Sequence, residues 1–314
     1  MPSAPPEAAV ARFRSELARL TDNVGPFGVA VSGGADSLAL LLLCADAFPG
    51  NTFAATVDHG LRSGSESEAA FVALLCSSIG VPHSILEPAL APSGNLQDWA
   101  RRERYAALHN WARSRQIAFV LTGHHADDQL ETIIMRLNRG SGVAGLAGVR
   151  ARQGMIVRPL LAWRKSELAE LIYHAGLDPI DDPSNTNARF DRARLRSALK
   201  SADWLDAQAA SRSAQALADA EQALAWSAIR CFKDRAKLNE AITTVDVSEL
   251  PDELVRRVTL LALRSINPDA DPRGTEISRL IAALKSNQSV TLADVWCKGG
   301  TRWQFRSAPQ RRKN

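Results

Sequence analysis

Two short stretches of this 314-residue chain carry residue types that could do chemistry. The first is Val29-Ala-Val-Ser-Gly-Gly-Ala-Asp-Ser37, where an apolar run breaks into two glycines and then into the apolar segment Leu38 to Leu43. The pattern predicts a strand, a tight anion-sized loop over Ser32, Gly33, Gly34, Ala35, Asp36 and Ser37, and the first turn of a helix. Glycines there let backbone N–H groups approach a phosphate, the serines add hydroxyl donors, the helix N-terminus adds partial positive charge, and Asp36 is placed to hold a metal. The string Gly-x4-Gly-Lys-Ser/Thr does not occur, so a kinase-type phosphate loop is excluded. The second stretch is Thr122-Gly-His-His-Ala-Asp-Asp-Gln-Leu-Glu-Thr132. Asp127 and Asp128 precede Glu131 by four and three residues, which predicts one helix face bearing carboxylates able to bind a divalent metal or receive a cationic substrate. Helix N-terminal preference for acids explains one such residue and leaves the remainder of the cluster unexplained. Zinc is not expected, because adjacent His124 and His125 should diverge and the spacing is not His-x3-His.

Weaker signals surround these. Arg139-Gly-Ser-Gly-Val-Ala-Gly-Leu-Ala-Gly148 reads as a flexible loop that would let backbone approach a ligand, with Arg139 available for a phosphate or carboxylate. Arg158-Pro-Leu-Leu161 resumes apolar character, and Asp181-Asp-Pro-Ser-Asn185 reads as a turn.

The elements that would position these residues alternate over the first 190 positions. Strands are predicted at Gly28–Val31, Phe53–Val57, Ser84–Leu86, Phe119–Thr122 and Met155–Val157, with helices near 37–47, 65–79, 95–115 and 126–138. That order predicts an α/β fold with a doubly wound parallel sheet and ligands at the carboxyl ends of the strands. The phosphate loop, Asp58-His59-Gly60 and Gly123-His124-His125 each follow a strand, so all three should converge on one edge. From about residue 204 the pattern reads as helix without intervening strands: Ser211 to Leu238, Glu249–Arg264 and Thr275–Lys285. Short strands at Ser289–Ala293 and Thr301–Phe305 close the chain, around Gly299-Gly300. The expected organisation is a nucleotide-binding domain over 1–204 and a smaller, mainly helical domain over 205–314. Disorder is expected only at 1–8 and 308–314.

Composition narrows the class. Hydrophobic residues make up 46% of the chain, as in a globular protein with a core, and the start lacks the basic and apolar regions of a signal peptide. No apolar run approaches a membrane span, which predicts a cytoplasmic protein. The four cysteines never form Cys-x-x-Cys and are expected as small buried hydrophobes. Lys and Arg number 17 against 19 Asp and Glu over residues 1–190, and 21 against 15 over 191–314. A basic second part beside a nucleotide-binding first part fits a nucleic-acid substrate.

SGGADS at 32–37 resembles the signature of the PP-loop ATP pyrophosphatases, which have the adenine nucleotide alpha hydrolase-like fold. With it in order stand DHGLR at 58–62, ARRERY at 100–105, TGHHADDQLET at 122–132, RGSGVAGLAG at 139–148, RPLL at 158–161 and DDPSN at 181–185. Over about residues 25–200 this set is similar to the tRNA(Ile)-lysidine synthase family. Asp58, Val149 and Ala193 depart from the asparagine, methionine and asparagine common there. The resemblance implies a ligase that uses ATP and Mg²⁺ to join free L-lysine to C2 of cytidine 34 in tRNA(Ile) with a CAU anticodon, through an O2-adenylated base. It implies nucleotide contacts at residues 32–37, His59, Gly123 and His124, the metal at Asp36, and lysine handling at Asp128 and Glu131. Arg104 would face the lysine carboxylate or the α-phosphate. The residues do not decide between a monomer and a homodimer. Other readings are a tRNA thiolase, which needs reactive cysteines, a small-molecule synthetase of the same superfamily, and a non-catalytic RNA-binding module.

Overall fold

The computed structural model describes residues 1–22, 25–60, 64–89, 96–180, 191–199, 201–239 and 241–309. The chain divides into two compact units, Met1–Ala218 and Asp219–Asn314. The first contains, in order, α1 (Glu7–Thr21), β1 (Phe27–Ala30), α2 (Ala35–Ala47), β2 (Thr52–Val57), α3 (Ser65–Ser78), β3 (His83–Leu86), α4 (Leu96–Ser114), β4 (Phe119–Leu121), α5 (Ala126–Leu137), α6 (Val143–Leu146), β5 (Arg152–Gln153), β6 (Ile156–Val157), α7 (Lys165–His174) and α8 (Asp191–Leu199). Helix α9 (Ala207–Arg235) runs across the division.

The six strands of the first unit lie in the order β3-β2-β1-β4-β6-β5, all parallel except the β5–β6 pair. Side chains alternate between faces, as the strand period requires. Val29, Ala54, Leu121 and Val157 join the core beneath α1, α2, α3 and α7, while Ala55, Val120 and Ile156 join Leu108, Trp111 and Ala112 of α4. The sheet is thus covered on both faces. Helix α2 is apolar nearly all round, with every residue from Leu38 to Cys44 buried, because it lies between the sheet, α1 and α7. Chain order reverses at β1: β2 and β3 lie to one side, β4 and β6 to the other. A crevice at the carboxyl ends of β1 and β4 is the ligand position this topology favours.

Two expectations are corrected here. Residues 1–8 are not a disordered end: α1 begins at Glu7, buries Val10, Phe13 and Leu17 at helical spacing, and the Ser3 N–H donates to the Ala175 carbonyl at 3.2 Å. Arg12 bonds Glu167 at 2.6 Å and lies 4.0 Å over the Trp163 ring, tying α1 to α7. Nor is the region beyond 204 free of intervening strands. The second unit contains β7 (Ala236–Leu238), β8 (Ile242–Val245), α10 (Asp252–Ile266), α11 (Gly274–Lys285), β9 (Ser289–Leu292), β10 (Val295–Lys298) and β11 (Trp303–Ser307). They form an antiparallel sheet of order β7-β8-β11-β10-β9. One face of it packs with α10 and α11 around Val258, Leu263, Leu280, Val295, Cys297, Trp303 and Phe305.

Candidate active site

The phosphate loop is shaped by its own serines. Ser37 Oγ donates to the Gly34 carbonyl at 2.9 Å and accepts the Ser32 N–H at 3.1 Å, with Ser32 Oγ 3.3 Å away. Gly33 has φ +84, and a Cβ there would lie 2.5 Å from Ile180 Cδ1; the Ile180 N–H donates to the Gly33 carbonyl at 3.0 Å. The left-handed backbone is what favours glycine there, since the Ile180 side-chain tip could move aside. Gly34 caps α2, which puts Ala35, Asp36 and Ser37 in its first turn. The loop after β4 presses onto that turn: a Cβ on Gly123 would lie 3.0 Å from the Asp36 carbonyl oxygen and 3.2 Å from the Ser37 nitrogen.

That close approach carries His125 to Asp36. The imidazole is buried, with Nε2 3.4 Å from Asp36 Oδ2 and 3.5 Å from Asp128 Oδ2, and Nδ1 3.4 Å from Asp127 Oδ2. Burial opposes its charge, but Asp127, Asp36 and Asp128 outweigh that and push its pKa up to about 10. His125 is therefore an imidazolium joining the nucleotide loop to the acid-bearing helix. Asp36 Oδ1 is buried without a hydrogen-bond partner among the described residues, as suits an oxygen that takes a cation. No group of three or more His, Cys, Asp or Glu among the described residues forms a metal cage. One carboxylate beside phosphates is the arrangement that suits Mg²⁺, which keeps waters and phosphate oxygens as ligands.

The carboxylates of α5 have cationic neighbours, with Asp127 and Asp128 against His125, Glu131 against Arg196, and Asp128 within reach of both. Asp127 Oδ2 accepts the Lys165 N–H at 2.8 Å, and contact with His125 and this bond hold its pKa below the usual range despite burial. Asp128 Oδ2 accepts the His125 N–H at 3.1 Å, the reciprocal bond of a helix-capping pair. Glu131, 3% exposed, takes both Arg196 Nε at 2.6 Å and Arg196 Nη2 at 3.0 Å, with Arg192 Nε at 3.2 Å. Arg196 also lies 3.8 Å from Asp128, and Arg192 bonds Thr132 Oγ1 at 2.8 Å. The two arginines stand four apart on α8 and so present one face to α5.

His124 contacts Thr122 Oγ1 at 3.0 Å and lies close enough to Asp128 to feel its charge; burial outweighs that and lowers its pKa to about 4, so it is neutral at physiological pH. At His59, two residues past the end of β2, burial and Arg104 lower the pKa, and its ring meets Trp99 edge-on at 5.8 Å. Both His59 ring nitrogens are buried and without partners among the described residues. Arg104 is exposed on α4, close enough to act on His59 electrostatically.

The glycine-rich segment 139–148 is more ordered than the flexible loop expected. It contains the short helix α6 and is fastened to α5 by Arg136 Nη1 bonding the Gly145 and Gly148 carbonyls at 2.5 and 2.9 Å. The Gln129 amide meets both the N–H and the carbonyl of Val149. Arg139 is exposed, 3.9 Å from Asp191. Arg158 is buried, bonding the Arg150 carbonyl at 2.8 Å and Tyr105 at 3.3 Å. Leu61 and Arg62 of the second motif and the whole of Asp181–Asn185 lie outside the described residues.

His125 was read only as part of the histidine and acid cluster, with no role of its own, and Arg192 and Arg196 were not among the sequence-derived candidates. A histidine two residues before an Asp-Asp pair at a helix start, and two arginines one turn apart, are the signals that could have found them.

A doubly wound sheet with a lysine-free phosphate loop at its reversal point defines a PP-loop nucleotide-binding protein, and residues 9–202 match the PP-loop domain family. Such a domain uses ATP. The tRNA(Ile)-lysidine synthase of Zymomonas mobilis is 41% identical over 299 residues, covering 92% of this chain and 90% of its own. That of Novosphingobium aromaticivorans is 41% identical over 316 residues, covering 98% and 96%. The chain belongs to the tRNA(Ile)-lysidine synthase family. Among solved structures, a U34-tRNA thiolase from Methanococcus maripaludis shares the fold, with a TM-score of 0.56 over 67% of this chain and 78% of its own, at 18% identity.

Proposed function

We propose that the chain joins lysine to C2 of cytidine 34 in tRNA(Ile) bearing a CAU anticodon, at the expense of ATP. The observation that carries this is the placement of His125, in contact through Nε2 with both Asp36 of the phosphate loop and Asp128 of α5, and through Nδ1 with Asp127. A nucleotide site and a site for a cationic amine are thereby one site, as an adenylation followed by amine attack requires. Family membership of close, nearly full-length relatives supports the same reading.

A cytosine C2 carbonyl is a poor electrophile because its oxygen cannot leave as oxide. Attack of O2 on the α-phosphorus of ATP releases pyrophosphate and leaves an O-adenylated base. The lysine ε-nitrogen then bonds C2, AMP departs with the former O2, and the amine gives up its proton. The loop from Ser32 to Ser37 holds the phosphates through backbone N–H groups and hydroxyls. Asp36 would hold Mg²⁺, which when bound neutralises charge on the leaving pyrophosphate. His59, Gly123 and His124 line the nucleotide side. Asp128 and Glu131 receive the amine, with Asp128 the proton acceptor of the two, since Glu131 is already committed to Arg192 and Arg196. Arg104 faces the lysine carboxylate or the α-phosphate.

The thiolase reading is disfavoured by the cysteines. Cys44, Cys76 and Cys297 are buried, and burial pushes each thiol up to about 12, far from a reactive thiolate. Incubation with ATP, Mg²⁺, labelled lysine and isoleucine tRNA bearing CAU, followed by RNA digestion and mass spectrometry, tests the proposal. A cytidine carrying lysine is expected at position 34. Unmodified or thiolated RNA would overturn it.

A further inference from the structure

Arg158 follows β6 directly and is only 3% exposed, yet its two partners are both uncharged: the Arg150 carbonyl at 2.8 Å and the Tyr105 hydroxyl at 3.3 Å. Its Nε is buried without a partner, and it forms no ion pair among the described residues. A guanidinium does not shed its charge, so taking one out of water without a counter-charge is costly, and buried charges are ordinarily paired. Elsewhere in the first unit the chain supplies the counter-charge itself, as Glu131 does for Arg196 and Glu167 for Arg12. At Arg158 it does not.

Beside Arg158 opens a cavity of about 290 Å³, between the end of α1, the segment that follows β6 and the first turns of α9. Its charged lining is three guanidiniums, of Arg19, Arg158 and Arg212, against the carboxylate of Glu16, which Arg19 already engages at 2.9 Å. Leu20, Pro159 and Leu161 give it an apolar wall. No residue of 32–37, 58–60 or 122–132 lines it, so it is separate from the catalytic centre. The side toward α9 is fastened in place, because Ser211 Oγ donates to the Leu161 carbonyl at 2.5 Å and Gln208 to the Ala162 carbonyl at 3.3 Å. The volume stands at the lower edge of the roughly 300–1,000 Å³ of small-molecule sites, which likewise combine apolar lining with a few fixed polar groups.

An oxyanion head on a short apolar body answers each of these features. The head, a carboxylate or a phosphate, supplies the charge that Arg158 lacks and suits the guanidinium fork, and the body covers the apolar wall. Occupancy would be felt at the catalytic centre through two contacts. Arg158 holds Tyr105, next to Arg104 on α4, and the segment beyond Arg158 runs into Trp163, whose carbonyl takes the Ala126 N–H at 2.8 Å beside His125. The structure assigns this cavity as an effector site for a small organic anion.

The test uses the full chain with saturating α,β-methylene ATP, which keeps the phosphate loop filled. Benzoate and phenyl phosphate supply the two kinds of head on one apolar body, and benzyl alcohol supplies the body without charge. Ligand-observed NMR titration is expected to show saturable binding of at least one anion, about tenfold or more tighter than the alcohol, as charge-assisted hydrogen bonds require. The tighter of the two identifies the head. Arg19→Ala/Arg212→Ala, at two exposed positions, is expected to weaken that binding about tenfold, and Arg158→Met to abolish it. Ala151→Leu narrows the same cavity without touching a charge and should also weaken binding, so the test stands even where Arg158→Met fails to fold by circular dichroism. With ATP, lysine and tRNA, the bound anion should change the KM for ATP or for lysine by about fivefold or more in the wild type, and not in Arg19→Ala/Arg212→Ala. No saturable binding of either anion, equal binding of the alcohol, undiminished binding in the folded variants, or binding that leaves both KM values unchanged would overturn the inference. Failure of the wild-type protein to form lysidine would instead count against the functional reading, and the binding measurements would still decide the cavity.

Discussion

The two oxygens of Asp36 differ: Oδ2 faces the buried imidazolium of His125, and Oδ1 has no hydrogen-bond partner among the described residues. Asp36→Ala is therefore expected to abolish pyrophosphate release in the presence of tRNA while the fold persists, with a lowered melting temperature, because no core volume is lost but the buried His125 loses one of its three carboxylate neighbours. Near-normal release would remove Asp36 from the mechanism. Asp128→Asn and Glu131→Gln should impair lysine transfer more than base adenylation, read as AMP-tRNA accumulating where lysidine fails to form. Equal loss of both steps would place these carboxylates in the nucleotide site. His83 offers a test in a different place: burial lowers its pKa below the ordinary value near 6.5, and it contacts Thr56 Oγ1 at 2.9 Å. The folded chain then binds fewer protons than the unfolded chain below that value, so stability is full above it and declines as pH falls toward the folded pKa. Denaturation at pH 7 and pH 5 should show a smaller difference in His83→Gln than in the wild type. At this scale the sequence revealed which residue types matter but not their orientation. Which of two adjacent histidines faces the acids depends on the turn that follows Gly123, and local spacing carries no record of that contact.

Helices α5 and α8 are joined by a buried carboxylate and two arginines. Removing Arg196 leaves Glu131 buried with half of its compensation, so Arg196→Ala should destabilise the first unit by about 1–3 kcal/mol. Glu131→Gln and Arg196→Ala together should cost less than the sum of the two, by about 0.5–3 kcal/mol, in a double-mutant cycle read by chemical denaturation. Strict additivity would show that the pair is incidental. Strands β1, β2, β3, β4 and β6 were readable because each is a short apolar run ending in glycine or a polar cluster, and their observed bounds lie within a residue or two of those expected; β5, two exposed polar residues, carries no such signal. Helix α1 was hidden by the Pro-rich start. Strand β10 was hidden by its turn, in which Ala293 and Asp294 both take positive φ, 49 and 58, without the Asn-Gly or Asp-Gly pair that marks such hairpins. Strands β7 and β8 are short and follow directly on a long helix, where helical periodicity masks the change.

Across the whole molecule, the first turns of α9 belong to the first unit. Ser211 Oγ donates to the Leu161 carbonyl at 2.5 Å, Gln208 reaches the Ala162 carbonyl at 3.3 Å, and Ala214 is fully buried. A fragment ending at residue 204 lacks these contacts, whereas one ending at residue 218 keeps them. The shorter fragment is expected to melt roughly 5 °C lower, the effect of about 2 kcal/mol in a chain of this size. Equal melting temperatures would show that the start of α9 adds nothing to the first unit.

Because Gly123 leaves no slack between the phosphate loop and α5, and His125 is shared by carboxylates of both, nucleotide and amine do not bind as strangers. Whatever factor ATP imposes on the affinity for lysine, lysine must impose on the affinity for ATP, since the two routes to the doubly loaded protein close a thermodynamic cycle. Under the proposed function the two loadings are coupled without any moving lid, and a titration with one substrate alone leaves the size and sign of that coupling unmeasured.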